Sequence, residues 1–176
     1  MIDVQESINK LHQKGMDFFV GVPDSYLKDL GFCLTCTLPI DKHIIAANEG
    51  NAIGIAIGYF LANNKPAVVY MQNSGLGNAI NPLTSLADKE IYSIPMLLII
   101  GWRGEPGKKD EPQHIKQGRI TQDLLELLEI PFNILDAQSD FEEEVIKLWP
   151  LMIKEQRPVA LLVKEGTFSS SPPPLL

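Results

Sequence analysis

The chain is poor in the residues on which disulfide frameworks, metal centres and nucleic-acid surfaces depend. It holds two cysteines and three histidines in 176 residues. Both cysteines fall in Cys33-Leu-Thr-Cys36, and no second pair completes a zinc site. A thioredoxin-like motif opens a helix straight after a strand; this pair is expected to follow a helix, so two reduced, partly buried thiols are anticipated. Basic residues are also short, with 15 Lys and Arg against 22 Asp and Glu, a formal charge of −7. Without a broad basic footprint, nucleic acid is not an expected partner. The longest apolar run, residues 94–100, falls far below the roughly 20 residues that span a bilayer. The start, Met1-Ile-Asp-Val-Gln-Glu, lacks the basic and apolar blocks of a signal peptide. A cytoplasmic protein with no membrane partner is the expectation. Nucleophile-elbow triads, Walker loops and ligand clusters are missing too, which argues against hydrolase and metalloenzyme chemistry and leaves no metal ligand to name.

What is present is apolar material in short blocks. With 45% hydrophobic residues, the chain can bury roughly two-thirds of its unfolded surface as one domain. Runs at 18–22, 43–47, 67–71, 96–102, 132–135 and 159–164 read as strands. Between them, apolar spacing of three and four predicts helices at 4–14, 25–32, 49–62, 77–87, 121–128 and 141–156. Pro82 and Pro150 should kink or restart two of these. The alternation predicts an α/β fold: a single domain over 1–168 with a six-stranded, mostly parallel sheet and helices on both faces. Residues 169–176, Ser-Ser-Ser-Pro-Pro-Pro-Leu-Leu, read as a linker or frayed tail.

Ligands of an open parallel sheet bind beyond the carboxyl ends of its strands. Four polar turns lie there: Gly21-Val-Pro23-Asp24-Ser25, Asn48-Glu49-Gly50-Asn51, Gln72-Asn73-Ser-Gly75-Leu-Gly77-Asn78, and a long loop from Arg103 to Gln117 and Gly118. Glu49 would occupy the first turn of a helix, where backbone N–H groups favour an anion. Gly50, Gly54 and Gly58 repeat along that helix at a cost of roughly 1 kcal/mol each, which points to close approach by a partner surface. Arg103, Lys108, Lys109, His114 and Lys116 make the long loop locally basic, so it reads as a lid or anion-binding element. Asp24 and Ser25 can serve there or simply cap a helix.

These motifs, with Gly101-Trp-Arg-Gly-Glu-Pro-Gly107 and Asp110-Glu-Pro-Gln-His114, resemble phosphonopyruvate decarboxylases from about residue 4 to 168. The second and third motifs are also similar to sulfopyruvate decarboxylase alpha subunits. The resemblance implies the pyrimidine-binding (Pyr) domain of a thiamine diphosphate-dependent, Mg²⁺-assisted carboxy-lyase. It implies that Glu49 is catalytic, bonding the cofactor's aminopyrimidine and moving a proton there, with Gly21, Pro23, Asn73 and Gly75 as further cofactor contacts. Candidate contacts to an anionic 2-oxo acid are Asp24, Ser25, Arg103, Lys108, Lys109, His114 and Gln117. No Gly-Asp-Gly diphosphate motif occurs in the chain. The expected partner is therefore a diphosphate-binding domain or beta subunit, in a homo- or hetero-oligomer. Two rivals are a non-catalytic Pyr-like oligomerisation module and a flavodoxin-like nucleotide-binding protein.

Overall fold

The computed structural model describes residues 1–169. In chain order the elements are β1 (Ile2–Asp3), α1 (Val4–Gln13), β2 (Phe19–Gly21), α2 (Lys28–Thr37), β3 (His43–Ile45), α3 (Glu49–Asn63), β4 (Ala67–Gln72), α4 (Leu76–Pro82), β5 (Met96–Gly101), α5 (Pro112–Leu127), β6 (Phe132–Leu135), α6 (Phe141–Ile153), β7 (Pro158–Val163) and β8 (Phe168–Ser169). A 3₁₀ turn over Asn73–Gly75 precedes α4, and a π turn over Leu83–Ala87 follows it. Six strands form one sheet in the order β3-β2-β4-β5-β7-β6, and every pairing is parallel. The expected α/β architecture is thus present, with a wholly parallel main sheet.

Side-chain alternation builds two cores. Val68 and Tyr70 of β4, Leu97 and Ile99 of β5, and Leu161 of β7 face the layer of α1, α2 and α6. Val69, Met71, Leu98, Ile100 and Leu162 face α3, α4 and α5. Strands buried on both faces are continuous apolar runs, as a covered parallel sheet requires. Asp3, Asn48 and Asp140 cap α1, α3 and α6, each accepting the backbone N–H three residues on.

Four expectations need correcting. The 103–117 segment is not one long loop: Pro112 opens α5, so His114, Lys116 and Gln117 are helical. A proline suits the first turn because its missing N–H would have no partner there; the glycine at 118 masked the helix in the sequence. α2 runs over Lys28–Thr37 instead of 25–32, so Cys33 and Cys36 lie inside a helix, the first buried and the second exposed. α6 continues through Pro150 and ends at Ile153, short of residue 156; the proline costs one N–H without stopping the helix. At Pro82, by contrast, the α-helix ends and the wider π turn takes over. Ser169, placed in the expected tail, pairs with Asp3 in a separate two-stranded parallel sheet of β1 and β8. The rest of that tail lies outside the described residues.

Candidate active site

Because all six strands run the same way, the turns after β2, β3, β4, β5 and β7 meet at one edge. Glu49, first residue of α3, lies against the turn after β4. A Cβ on Gly75 would stand 2.3 Å from Glu49 Cγ and 2.6 Å from Oε1, so only glycine leaves room for this carboxylate. Asn78 Nδ2 donates to Glu49 Oε2 at 2.8 Å. The half-exposed carboxylate keeps Oε1 without a hydrogen-bonding partner among the described residues.

Asn73, two residues before Gly75, is held by bonds within the protein. Its buried amide donates to the Arg103 carbonyl at 2.8 Å and to Thr121 Oγ1 at 2.9 Å, and accepts from the Arg103 N–H at 3.1 Å. Its hydrogen bonds therefore clamp the turn after β4 to the loop after β5. Gly21 likewise has an internal reason: a Cβ there would meet the Tyr70 ring at 2.6 Å. That ring crosses Gly21 to place its hydroxyl 2.8 Å from His43 Nε2. Pro23 is exposed beside it.

The second cluster centres on Asp110, which the sequence reading left unassigned. Its side chain is 4% exposed. It accepts from Arg103 Nε at 2.9 Å, from Arg103 Nη2, from the N–H groups of Gly104 and Glu111 at 2.7 Å each, and from the Tyr26 hydroxyl at 3.3 Å. His114 Nδ1 lies 3.0 Å from the same carboxylate. The Arg103 guanidinium bonded to it holds the carboxyl well below the usual range, despite burial, and the same bond raises Arg103 further. Arg103 also lies over the Tyr26 ring, 4.7 Å from its centroid, and donates to Ser25 Oγ at 2.8 Å. The structure thus brings together Ser25, Arg103 and His114. Lys108 is exposed and apart from this network, whereas Lys109 lines the same cleft as Ser25 and Arg103. Gln117 lies within α5, where its backbone carbonyl accepts from the Thr121 hydroxyl.

Asp24 is 8% exposed and lies beneath the cluster. Its Oδ2 accepts from the Tyr26 N–H at 2.9 Å, and its Oδ1 is buried without a hydrogen-bond partner among the described residues. Burial pushes its carboxyl up. Gly101 makes room for it, since a Cβ there would stand 2.3 Å from Oδ2. Backbone contact also explains Gly118: a Cβ would collide with the Gly104 carbonyl, and Trp102 Nε1 donates to the Gly118 carbonyl at 2.8 Å. Small residues and buried polar groups in the motifs were the available signals for these clamps.

The family described as thiamine pyrophosphate enzyme, N-terminal TPP binding domain, matches residues 5–127. Phosphonopyruvate decarboxylase of Streptomyces viridochromogenes is 34% identical over 173 residues, which cover 98% of this chain and 43% of that protein. The chain thus spans less than half the length of that relative. Sulfopyruvate decarboxylase subunit alpha of Methanocaldococcus jannaschii is 39% identical over 161 residues, covering 88% of each. The fold matches benzoylformate decarboxylase from Polynucleobacter necessarius with a TM-score of 0.69 at 20% identity, over 100% of this chain and 32% of that one.

Proposed function

The chain belongs to the family of N-terminal TPP-binding domains of thiamine pyrophosphate enzymes, and from that premise we propose that it is the pyrimidine-binding half of a 2-oxo acid decarboxylase. The substrate we assign is phosphonopyruvate, converted to phosphonoacetaldehyde and carbon dioxide. One observation supports this above the rest: Glu49 is seated on Gly75 with Oε2 held by Asn78 and Oε1 left open. A module serving only assembly has no need of that cradle, and neither does a flavodoxin-like nucleotide site.

The residues present fit the cofactor's aminopyrimidine. Glu49 would hold a proton at a ring nitrogen, and Asn78 fixes the carboxylate so that the transfer needs no side-chain search. Once bound, thiamine diphosphate supplies the electron-accepting group for the bond broken as carbon dioxide leaves. Mg²⁺ and the diphosphate fall to a partner domain or beta subunit, since the chain has no Gly-Asp-Gly motif. The basic loop and the N-terminal turn of α5 supply the substrate's anion contacts.

A second reading, sulfopyruvate as substrate, is favoured by the identity to the alpha subunits. The test is to combine the chain with a diphosphate-binding half, thiamine diphosphate and Mg²⁺, and to assay carbon dioxide release from both acids. Preference for phosphonopyruvate is expected. Preference for sulfopyruvate would replace the substrate, and inactivity on every 2-oxo acid would overturn the decarboxylase assignment.

A further inference from the structure

Arginine has five N–H donors and no acceptor. On Arg103, Nε and Nη2 each give one to Asp110, and Nη1 gives one to Ser25. Two remain, one on each terminal nitrogen. Ser25 Oγ accepts from Arg103, so its own hydroxyl hydrogen is left to donate. These donors stand in the wall of a cleft of about 850 Å³, lined also by Tyr26, Lys28 and Lys109 and by the acidic residues Asp29, Asp110, Glu111 and Glu165.

We propose that the terminal nitrogens of Arg103 and the Ser25 hydroxyl together bind the anionic group at the far end of the substrate, and that Asp110 is the positioning residue for this contact. The inference rests on the decarboxylase reading and ranks the basic residues that reading leaves equal. Arg103 cannot swing to meet a ligand. Its backbone is clamped by Asn73, its plane lies on Tyr26, and its Nε edge is occupied by a buried carboxylate. Fixing the guanidinium beforehand removes the entropy cost of ordering it on binding. With one edge filled by Asp110, the terminal nitrogens are what a phosphonate or sulfonate can reach. Lys28 and Lys109, for which no salt bridge is found among the described residues, offset the carboxylates of Asp29, Glu111 and Glu165 in the cleft wall, whereas Lys108 stands outside it.

The test uses the 176-residue chain alone and phosphonoacetate, an unreactive carbon-bound phosphonate, followed by ¹⁵N NMR of the arginine side chains. Arg103 Nε and Nη resonances are expected to shift on titration. Ser25→Ala, an exposed change that leaves the fold intact, should raise the dissociation constant several-fold. Asp110→Asn should raise it about tenfold or more and broaden the Arg103 signals as the guanidinium loses its fixed plane, a signature that lost stability alone would not produce. Silent Arg103 resonances, or native affinity in Ser25→Ala, would overturn the proposal. Neither result involves thiamine diphosphate, so failure here is distinct from failure of the decarboxylase reading.

Discussion

Glu49 and Gly75 are in contact across two strands: the glutamate's Cγ occupies the space where a Cβ on residue 75 would stand, 2.3 Å away. The two residues are a single device, and substitution at either should have the same functional result. Glu49→Gln keeps a hydrogen bond but cannot exchange the proton. It is expected to slow C2–H exchange of bound cofactor in the assembled enzyme by at least about a hundredfold. Gly75→Ala should displace the carboxylate and cost a comparable factor while Glu49 itself is intact. Exchange at the native rate in Gly75→Ala would show that the cradle has no catalytic part.

The glycines of α3 divide into two kinds. A Cβ on Gly50 would lie 2.8 Å from the Asn78 backbone carbonyl, whereas Gly54 and Gly58 have nothing within 4 Å and are exposed. Gly50→Ala should therefore lower the melting temperature of the isolated chain. Gly54→Ala should raise its stability by up to about 1 kcal/mol, the helix propensity that glycine forgoes. Gly54→Leu should leave the isolated fold intact and weaken association with a diphosphate-binding half, measured by analytical ultracentrifugation beside a thermal melt. Full association by Gly54→Leu would mean that the open glycine face is not an interface.

The strands and the order of elements were legible because a parallel sheet buried on both faces leaves unbroken apolar runs such as Val68 to Met71 and Leu97 to Ile100. Glu49 was legible because a carboxylate at a strand-to-helix junction is a local pattern. What stayed hidden was long-range. Asp110 looked like one more charge in a polar loop, and its role exists only because Tyr26 from the turn after β2, Arg103 from its own loop and His114 from α5 converge on it. The contacts of Asn73 with the Arg103 backbone and of Gly21 with the Tyr70 ring were hidden for the same reason, since both partners lie far away along the chain. Glycine at 118 read as a loop residue, whereas it lies inside α5 for close backbone packing.

Without a Gly-Asp-Gly motif, the chain alone should bind thiamine diphosphate weakly and decarboxylate nothing. Calorimetry with thiamine diphosphate and Mg²⁺ should show little heat until a diphosphate-binding half is added. Turnover by the purified chain, free of such a half, would contradict this division of labour.

At the opposite, N-terminal edge of the sheet, Asp17 ties α3 to the connections that lead into β3 and β4. Its Oδ1 accepts from the Tyr59 hydroxyl at 2.7 Å, and its Oδ2 lies 3.0 Å from Lys42 Nζ and 3.5 Å from Lys65 Nζ. Burial alone would push this carboxyl up, but the bonds from Tyr59 and Lys42 outweigh it and bring it down to about 2. A carboxyl lowered on folding stabilises the native state above its unfolded value, about 3.9, and loses that contribution as the pH falls through its folded value. Asp17→Asn should therefore melt below wild type at neutral pH, and the gap should narrow steadily between about pH 4 and pH 2. Asp110 is present in both proteins, so its own acid dependence cancels in the difference. Paired thermal melts across that range are the measurement, and a gap that stays constant with pH would show that Asp17 acts through packing instead of through its charge.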